Sequence, residues 1–417
     1  MKYLVVLGDG MADYPVPELG CKTPLQYANK PNMDFIAKNG ATGLVRTIPD
    51  GVSAGSDTAN MSVMGFDPKT YYTGRSPIEA VSMGIRLSDD DVAFRCNLVT
   101  LSEGGVYEDK TMLDYSSDEI SSEEAREIIG SVNENVSIDS IKFYPGISYR
   151  HCMVWKGAGF TSENTPPHDI LGKRIGEYLP RDKAAPDQAG ILNLLMRKSH
   201  DYLSRHPVNK ARSARGLKPA NSIWLWGQGT RMVIPSFREK FGISGVVISA
   251  VDLIKGIGLS CGLDPIYVEG ATGIIDTNYE GKARAAVEAF KKGYDFAYIH
   301  IEAPDECGHR YEIDNKVRAI ELIDSRVMPI VMEGLESFDD YSIIVLPDHP
   351  TPLSLRTHTR EPVPFAVYSK KRRRRDPVIS GYDEFSAQKT GLFIDRGHEL
   401  MDEFISRDCE NLIRPIT

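Results

Sequence analysis

Ser342 to His358 reads SIIVLPDHPTPLSLRTH, and this stretch decides the predicted fold. Its opening residues form a short, continuous apolar run, which is typical of a strand buried in a parallel sheet. Asp348 and His349 follow at the end of that run, and His358 comes nine residues after His349. A carboxylate and imidazoles at a strand end offer the ligands of a first-row metal. A surface Asp-His pair in a turn is the alternative that this stretch alone leaves open.

The same arrangement is predicted at two other strand ends. Lys2–Leu7 is an apolar strand followed at once by Asp9, whose flanking glycines let the backbone turn and leave the carboxylate free to reach a ligand. A turn in which Asp9 bonds its own backbone is the alternative. Phe296–Ile301 is followed by Asp305 and His309, and a spacing of four places both side chains on one face of a helix.

Strands that alternate with helices predict an α/β fold with a mostly parallel sheet covered by helices on both faces. In such sheets ligands gather beyond the carboxyl ends of the strands, so the three carboxylates are expected at one edge. Carboxylates held close together repel one another unless cations neutralise them. With the three histidines they supply enough ligands for two divalent metals, a pair that promotes phosphoryl transfer.

Ser56 is the candidate nucleophile. It lies in Gly55-Ser56-Asp57, where a loop turns into a predicted helix, so its hydroxyl is expected at a helix N-terminus that favours phosphate. A serine beside metals loses its proton more easily and can carry a phosphoryl group. A serine that only caps the helix is the alternative.

Residues 87–186 differ from the rest of the chain in their pattern of predicted elements and candidate site residues. They contain predicted strands, an acidic helix and a proline-rich connector but no carboxylate-imidazole pair, and we therefore expect an inserted α+β domain with its linker. Residues 1–86 and 187–417 then form the core. Arg150 and His151, on the last strand of the insertion, are candidates to face a substrate, with a paired surface position as the alternative.

Arg75, in the segment before the insertion, is suited to clamp a phosphate or a carboxylate. A surface salt bridge is an equally good interpretation of Arg75. The run Lys370–Arg375 (KKRRRR) is predicted to be a solvated loop of an acidic protein rather than an anion patch.

Composition excludes several classes of protein. A formal net charge of −9 argues against general nucleic-acid affinity, and no apolar stretch has the length of a membrane span. The first strand is too short for a signal peptide. Six scattered cysteines without metal-ligand spacing predict reduced thiols, a cytoplasmic location and no thiolate-bound zinc.

Together these motifs resemble the alkaline phosphatase superfamily. Its pattern is an Asp after the first strand, a Gly-Ser-Asp-Thr loop, D-x-x-x-H, Asp-His, and a final His-Thr before Pro-Val-Pro-Phe. Within it the chain resembles the archaeal-type branch of cofactor-independent phosphoglycerate mutase through YYTGRSPIEA, PANSIWLWGQG and GATGIIDTNYEGKA. The resemblance spans nearly the full length and implies an alkaline-phosphatase-like core with a smaller inserted domain.

The resemblance also implies roles for individual residues. One metal would be held by Asp305, His309 and His358. The other metal would be held by a second set, which consists of Asp9, Asp348 and His349 with Ser56. Lys218 aligns with a family lysine near the phosphate and the nucleophile, and Arg75 with a family glycine-arginine turn. The family's metals are usually Mn²⁺, with Mg²⁺ or Zn²⁺ as alternatives.

The chain departs from the mutase pattern at two places. Lys110–Asp118 replaces an arginine-rich segment of the branch, and Asn60 stands where the branch often has histidine. Both features resemble a bacterial subgroup proposed to be an alternative homoserine kinase. Arginines are natural carboxylate clamps, so their loss affects the expected substrate and not the metal chemistry.

The expected function is interconversion of 2- and 3-phosphoglycerate through a phosphoserine. The partner is then a small phosphorylated metabolite and not a nucleic acid or a membrane; the oligomeric state is not predicted. Homoserine phosphorylation, metal-dependent phosphomonoester hydrolysis and metal binding without catalysis are the alternatives.

Overall fold

The chain is described by a computed structural model at residues 1–158, 162–182, 188–371, 379–406, 409 and 412. Its contacts divide it into two units. The first unit comprises Met1–Tyr72 and Val233–Thr417, and the second comprises Thr73–Met232. Positions 372–375 of the predicted basic loop lie outside the described residues.

The strands of the described residues are numbered in chain order. They are β1 (Lys2–Gly8), β2 (Ala41–Val45), β3 (Val92–Leu101), β4 (Met112–Asp114), β5 (Ile141–Tyr144), β6 (Arg150–Trp155), β7 (Ser162–Glu163), β8 (Arg181–Asp182), β9 (Ser222–Thr230), β10 (Gly245–Ile248), β11 (Asp264–Pro265), β12 (Phe296–Ile301), β13 (Tyr341–Leu346), β14 (Val363–Ser369) and β15 (Phe393–Ile394).

The α-helices are numbered in the same way. They are α1 (Pro24–Tyr27), α2 (Pro31–Asn39), α3 (Ser56–Val63), α4 (Pro68–Tyr71), α5 (Arg75–Ser82), α6 (Ser122–Asn135), α7 (Gln188–Leu203), α8 (Pro207–Ala214), α9 (Phe237–Phe241), α10 (Asp252–Ser260), α11 (Tyr279–Lys291), α12 (Ala303–His309), α13 (Ile313–Leu322), α14 (Met328–Leu335), α15 (Glu384–Lys389) and α16 (Glu399–Met401).

A sheet of eight described strands forms the centre of the first unit. Its order is β11-β10-β12-β1-β13-β14-β2-β15, and β14 runs antiparallel to both of its neighbours. The sheet is therefore mostly parallel, as predicted. Leu4 and Val6 of β1 pack into a core with α2, α11, α13 and α14, and the alternate residues face the other side. There Tyr3 meets Phe404, with ring centroids 5.5 Å apart.

Close packing on that second face explains one glycine. A Cβ at Gly258 of α10 would lie 2.6 Å from Cγ1 of Val247, so a larger residue would push the helix away from β10. Because both faces of the sheet are covered, β12 and β13 are buried along their whole length. The predicted strand over Ser342–Leu346 is confirmed by β13, in which every residue is buried.

A buried ion pair fixes the loops that follow β1 and β13. Lys316 of α13 and Asp13 have 0% and 1% of their side chains exposed, and Nζ lies 2.7 Å from Oδ2. The ammonium also donates to the carbonyl of Thr351 at 2.8 Å, and the Asp13 carboxylate accepts from the backbone N–H of Leu353. Contacts from α13 therefore hold both loops in place.

A π-helical turn, Ile323–Val327, joins α13 to α14. It places the buried carboxylate of Asp324 at the start of α2, which opens with a proline. There Asp324 accepts hydrogen bonds from the backbone N–H groups of Asn32 at 3.3 Å and Met33 at 2.7 Å. The free N–H groups of the first turn of α2 are satisfied in this way.

The second unit is built on an antiparallel sheet. Strands β4, β3, β6 and β5 lie in that order, and β9 also pairs with β3. Helices α6 and α7 cover one face, where Ile128, Leu192 and Leu195 join the strand residues in a separate core. The unit is therefore of the α+β type.

The second unit is wider than residues 87–186. It includes α5 at its start, and α7, α8 and β9 at its end, because α5 packs on β9 and β9 pairs with β3. β9 reads as one more strand after a helix, so its partner was not evident from its sequence. Gly391–Ile405 contains β15, α16 and the start of a second π-helical turn.

Candidate active site

Three strand ends bring acidic and imidazole side chains to one edge of the first unit's sheet. β1 runs parallel to β12 and β13, with Gly8 opposite Ile301 and Leu7 opposite Leu346. The residues that follow these strands therefore leave the sheet at the same edge. They are Asp9 after β1, Asp305 and His309 on α12 after β12, and Asp348 and His349 after β13.

Asp305, His309 and His358 form one set of ligand atoms. His309 Nε2 lies 3.2 Å from Asp305 Oδ2 and 2.9 Å from His358 Nε2. His358 Nε2 lies 3.4 Å from Asp305 Oδ1. The Nδ1 atom of His309 is 2.9 Å from the carbonyl oxygen of Arg356, so Nδ1–H donates there and Nε2 faces the cluster. These three side chains can hold one metal ion.

Asp9, His349 and Asp348 form a second group beside the first. His349 Nε2 lies 3.5 Å from Asp9 Oδ1 and 3.4 Å from Asp348 Oδ2. Asp9 Oδ1 is buried, and no described residue donates a hydrogen bond to it. A buried carboxylate oxygen without a donor is what a metal ligand looks like when only protein atoms are considered.

The charges of the cluster are unbalanced. Burial, and after it the negative charges of Asp348 and Asp305, raises the pKa of Asp9 well above its ordinary value. Burial opposes ionisation of Asp305 as well, but hydrogen bonds from His309 and His358 outweigh it and hold the pKa of Asp305 well below its ordinary value. Positive charge is therefore needed before all three carboxylates can ionise together. Oxygen and nitrogen donors in this number fit two divalent cations.

Ser56 lies at this cluster, at the first position of α3. Its Oγ is 3.0 Å from His349 Nε2. Gly55 is the N-cap residue and makes no side-chain cap, so the hydroxyl of Ser56 is not committed to closing the helix. The N-terminus of an eight-residue helix favours negative charge beside this hydroxyl.

His300 and Tyr298 at the cluster were not singled out from the sequence, and Asn60 was noted only as a departure from the pattern of the mutase branch. His300 Nε2 lies 3.0 Å from Asp9 Oδ2, and burial lowers the pKa of this imidazole to about 3. Asn60 Nδ2 donates to Asp348 Oδ2 at 2.7 Å, and its Oδ1 accepts from Tyr298 Oη at 2.6 Å. The sequence pattern that could have identified two of them is the alternation of side chains along β12, which places Tyr298 and His300 on the same face of an apolar strand.

Lys218 lies in the second unit and is held by two carboxylates. Its Nζ is 2.8 Å from Asp114 Oδ2 and 3.2 Å from Asp118 Oδ1. These hydrogen bonds raise the pKa of Lys218, so the side chain is a fixed cation. Burial would raise the pKa of Asp114, but the hydrogen bonds from Lys218, Ser116 and Asp118 together hold it well below its ordinary value.

Arg75 and Arg150 belong to a group of three arginines in the second unit, of which Arg95 is the member not predicted. Glu79 Oε1 lies 2.8 Å from Arg75 Nε, and Glu79 Oε2 lies 3.0 Å from Arg95 Nε. Arg95 also stacks over the Trp226 ring at 4.3 Å. Burial, opposed by Glu79 and reinforced by the charges of Arg75 and Arg150, lowers the pKa of Arg95 to about 10.

Pairing in the sheet places Arg150 and His151 on opposite faces. Arg150 is opposite Asn97 of β3, on the face that carries Arg95, whereas His151 is opposite Cys96 in the unit's core. His151 is 5% exposed, its Nδ1 accepts a hydrogen bond from Gly146 N at 3.0 Å, and burial lowers its pKa to about 3. The structure therefore brings Arg150 to the arginine group and His151 to the interior.

Comparisons with known proteins decide the family. A family model described as 2,3-bisphosphoglycerate-independent phosphoglycerate mutase matches residues 37–209. A mutase of that name from Methanosarcina barkeri is 51% identical over 96% of this chain and 98% of its own. The chain belongs to this family. A probable member from Geobacter sulfurreducens is 50% identical over 98% of this chain and 100% of its own.

Solved structures agree with the family and the fold. A protein from Pyrococcus horikoshii is 30% identical, with a TM-score of 0.80 over 100% of this chain and 99% of its own. A cofactor-independent phosphoglycerate mutase from Thermoplasma acidophilum is 27% identical, with a TM-score of 0.67 over 98% and 99% of the two chains. The α/β fold and the mutase family are both confirmed. The names of these relatives give no support to the homoserine kinase alternative.

Proposed function

We propose that the protein is a metal-dependent phosphotransferase that interconverts 2-phosphoglycerate and 3-phosphoglycerate through a phosphoserine at Ser56. The observation that carries the proposal is the position of Ser56 Oγ, 3.0 Å from His349 at the edge of a cluster of three carboxylates and three further imidazoles. Two relatives that are 51% and 50% identical in sequence over nearly the full length are named as phosphoglycerate mutases, and these names support the choice of substrate.

In this proposal the cluster holds two divalent cations. Asp305, His309 and His358 would hold one, and Asp9, Asp348 and His349 with Ser56 the other. Mn²⁺ is the proposed metal because the resemblance to the family implies it, with Mg²⁺ or Zn²⁺ as alternatives. Oxygen and nitrogen donors without thiolate fit all three metals. Such cations supply the positive charge that stabilises a transferring phosphoryl group and its attacking and leaving oxygens.

The chain's own residues would carry the transfer in two steps. Ser56 Oγ bonds to the phosphorus of the bound phosphoglycerate while the bond from phosphorus to the glycerate oxygen breaks, and that oxygen takes the proton that Ser56 loses. The other glycerate hydroxyl then attacks the phosphoserine, and Ser56 leaves with a proton. The first turn of α3 favours the negative charge on the phosphoryl oxygens in both steps.

The glycerate must stay bound between the two steps. We propose that the second unit serves as the substrate domain and that Arg75, Arg95 and Arg150 bind the carboxylate of glycerate. Arg75 and Arg95 share the carboxylate of Glu79, and Arg150 donates to Tyr149 Oη rather than to a described carboxylate. Planar guanidinium groups match carboxylates well. Lys218, held by Asp114, is proposed to position the phosphate.

A cytoplasmic location is part of the proposal. None of the six cysteines, all within the described residues, forms a disulfide, which is usual in a reducing compartment. None of the described helices combines the length and the hydropathy that a membrane span requires.

The proposed route is tested with Ser56→Ala and phosphorus NMR. Mn²⁺-loaded wild-type protein is expected to convert 3-phosphoglycerate to 2-phosphoglycerate without releasing phosphate. Ser56→Ala is expected to lose at least about a thousandfold in rate and to keep the metal that Asp305, His309 and His358 would hold. Ser53→Ala is the matched control, because Ser53 is exposed in the preceding loop and should keep full activity.

Three results would contradict the proposal. Full activity of Ser56→Ala would exclude the phosphoserine. Release of free phosphate as the main product would indicate a phosphatase. A homoserine phosphate signal from a parallel tube with ATP and homoserine, beside an inert first tube, would indicate a kinase.

A further inference from the structure

A cavity of about 470 Å³ lies within the second unit. Its lining comes from the segment between β3 and β4, from α7 and α8, and from the residues before β9. The residues that line it belong neither to the arginine group nor to the Lys218–Asp114 pair. Cavities of this volume are typical of small-molecule sites.

Lys110 gives this cavity a buried positive charge. Its side chain belongs to a residue that is 6% exposed, and Nζ donates to the carbonyl oxygens of Ser102 at 3.2 Å and Gly104 at 2.9 Å. An ammonium group has three donors, and no described carboxylate pairs with this one. Burying a cation without a counter-charge is costly, so an anion in the cavity would relieve that cost.

His200 and Lys210 add to the positive side of the cavity. His200 Nδ1–H donates to the carbonyl of Asn221 at 3.0 Å, and its Nε2 has no partner among the described residues. Burial, and after it the charge of Lys110, lowers the pKa of His200. Lys210 is exposed on α8 and makes no ion pair within the described chain. Glu103 is the one carboxylate in the lining.

The walls of the cavity are fixed by two buried amides. Asn221 accepts from the backbone N–H of Leu101 and donates to its carbonyl, both at 2.8 Å. Asn209 accepts from Ala220 N at 2.8 Å and donates to Ala220 O at 2.9 Å. These amides fix the backbone of the walls, and backbone carbonyls hold the side chains of His200 and Lys110 before any ligand arrives.

We propose that this cavity binds a small phosphate-bearing metabolite. Lysine ammonium groups act as point charges and are common phosphate ligands, and two lysines with a histidine supply the positive charge and the hydrogen-bond donors that a phosphate needs. The volume leaves room for an organic part beside the phosphate. Pro219 in the lining follows Lys218, and Lys110 precedes Asp114 by four residues, so an occupant would contact the chain on both sides of that ion pair.

The test uses Mg²⁺-loaded full-length protein with ¹⁵N-labelled histidine and inorganic phosphate as the probe. The imidazole signals of His200, identified with His200→Gln, are expected to shift saturably as phosphate is added. The pKa of His200 should rise at the same time, because a bound anion favours the protonated ring. Chloride at matched ionic strength should leave the signals in place.

Lys210→Gln changes an exposed residue and should weaken the phosphate response of His200 by about threefold. Lys110→Met removes a charge-assisted hydrogen bond and should weaken it by about tenfold or more. Lys198→Gln, at an exposed lysine of α7 outside the lining, is the matched control.

Two results would overturn the proposal. One is a His200 signal that does not shift with phosphate up to molar concentration, or that shifts as much in Lys210→Gln as in the wild-type protein. The other is a response to malonate without one to phosphate, which would indicate a carboxylate site instead. If Lys110→Met does not fold, Lys210→Gln and Lys198→Gln still decide the matter.

Discussion

At the scale of single residues, Asn60 determines how the second group of ligands is oriented. Its amide donates to Asp348 and accepts from Tyr298, so it links a ligand to the buried face of β12. The amide of Asn60 also donates to the carbonyl of Ser56 at 2.8 Å. One side chain therefore positions both the candidate nucleophile and a carboxylate ligand. A histidine, which the mutase branch often has here, could not reproduce this pattern of two donors and one acceptor.

We expect Asn60→Ala to weaken metal binding by about 10- to 100-fold, as is usual when a partner of a metal ligand is lost. Isothermal titration of the metal-free protein with Mn²⁺ measures this directly and does not depend on activity. Tyr298→Phe should act in the same direction but less strongly, because Asn60 keeps its bond to Asp348. Unchanged affinity in Asn60→Ala would show that Asp348 is held by other contacts.

Asp114 gives the stability of the second unit a defined pH dependence. Its pKa is held below the ordinary value of about 3.9 in the folded state, so its contribution is complete above that value and is lost as the pH falls below it. Urea unfolding should show a constant stability difference between wild type and Asp114→Asn above about pH 5, which shrinks below about pH 4.

A cycle with Lys218→Met separates the ion pair from the backbone hydrogen bonds of Asp114. In that background the difference made by Asp114→Asn should be smaller at neutral pH, although Ser116 and Asp118 still donate to the carboxylate. An equal difference in both backgrounds would mean that Lys218 contributes nothing to the low pKa of Asp114.

At the scale of elements, the loops that carry the candidate ligands depend on α13. Lys316 of that helix joins the loop after β1 to the loop after β13 through Asp13 and the carbonyl of Thr351. Thr351 in turn donates to Asp305 Oδ1. Neither Lys316 nor Asp13 touches the candidate nucleophile, so their effect on the site is transmitted through the backbone.

We expect Lys316→Met to lower the free energy of unfolding by about 3–5 kcal/mol, because the carboxylate of Asp13 would remain buried without its cation. Equilibrium urea denaturation measures the loss. Lys316→Met combined with Asp13→Asn should recover part of it. A loss below about 1 kcal/mol in the single variant would show that the buried pair does not stabilise the two loops.

The sequence predicted which candidate ligands come together better than it predicted their surroundings. Asp9, Asp305 and Asp348 could be predicted because each follows an apolar strand, and parallel strands bring such positions to one edge of the sheet. His300 was missed because a histidine within an apolar strand also fits a structural role. His151 was expected to face a substrate. The face of the sheet on which a residue lies depends on how its strand pairs, and the local sequence does not reveal that β6 pairs with β3.

The same limit explains the domain boundary. β9 is apolar and follows a helix, as the core strands do, yet it pairs with β3 of the second unit. Arg95 was overlooked for a related reason, since one arginine in a strand does not reveal the two others that the fold places near it. Long-range pairing determines both features.

At the scale of the whole molecule, all proposed metal ligands belong to one unit. The second unit has a core of its own and contributes none of the ligands. Metal binding should therefore stabilise the two units to different extents, because a ligand stabilises only the part of the chain that binds it.

We expect scanning calorimetry to show this difference. At a metal concentration of about 100 times Kd, the first unit should gain about 2.7 kcal/mol for each cation that it binds, and EDTA should return its transition to the lower temperature. The transition of the second unit should move little. Zinc-, magnesium- and manganese-loaded samples compare the candidate metals in one experiment. An equal shift of both units would mean that they unfold as one cooperative body.

The π-helical turn between α13 and α14 makes the length of this helical segment matter as much as its composition. Deleting one residue from Ile323–Val327 would restore a regular α-helix and rotate everything beyond it by about 100°. Asp324 and the apolar residues of α14 could then no longer both face their present partners. An in-frame deletion of a single codon here would therefore harm the protein more than most amino-acid substitutions. Homologous chains should accept insertions and deletions in the neighbouring loops more readily than in this turn.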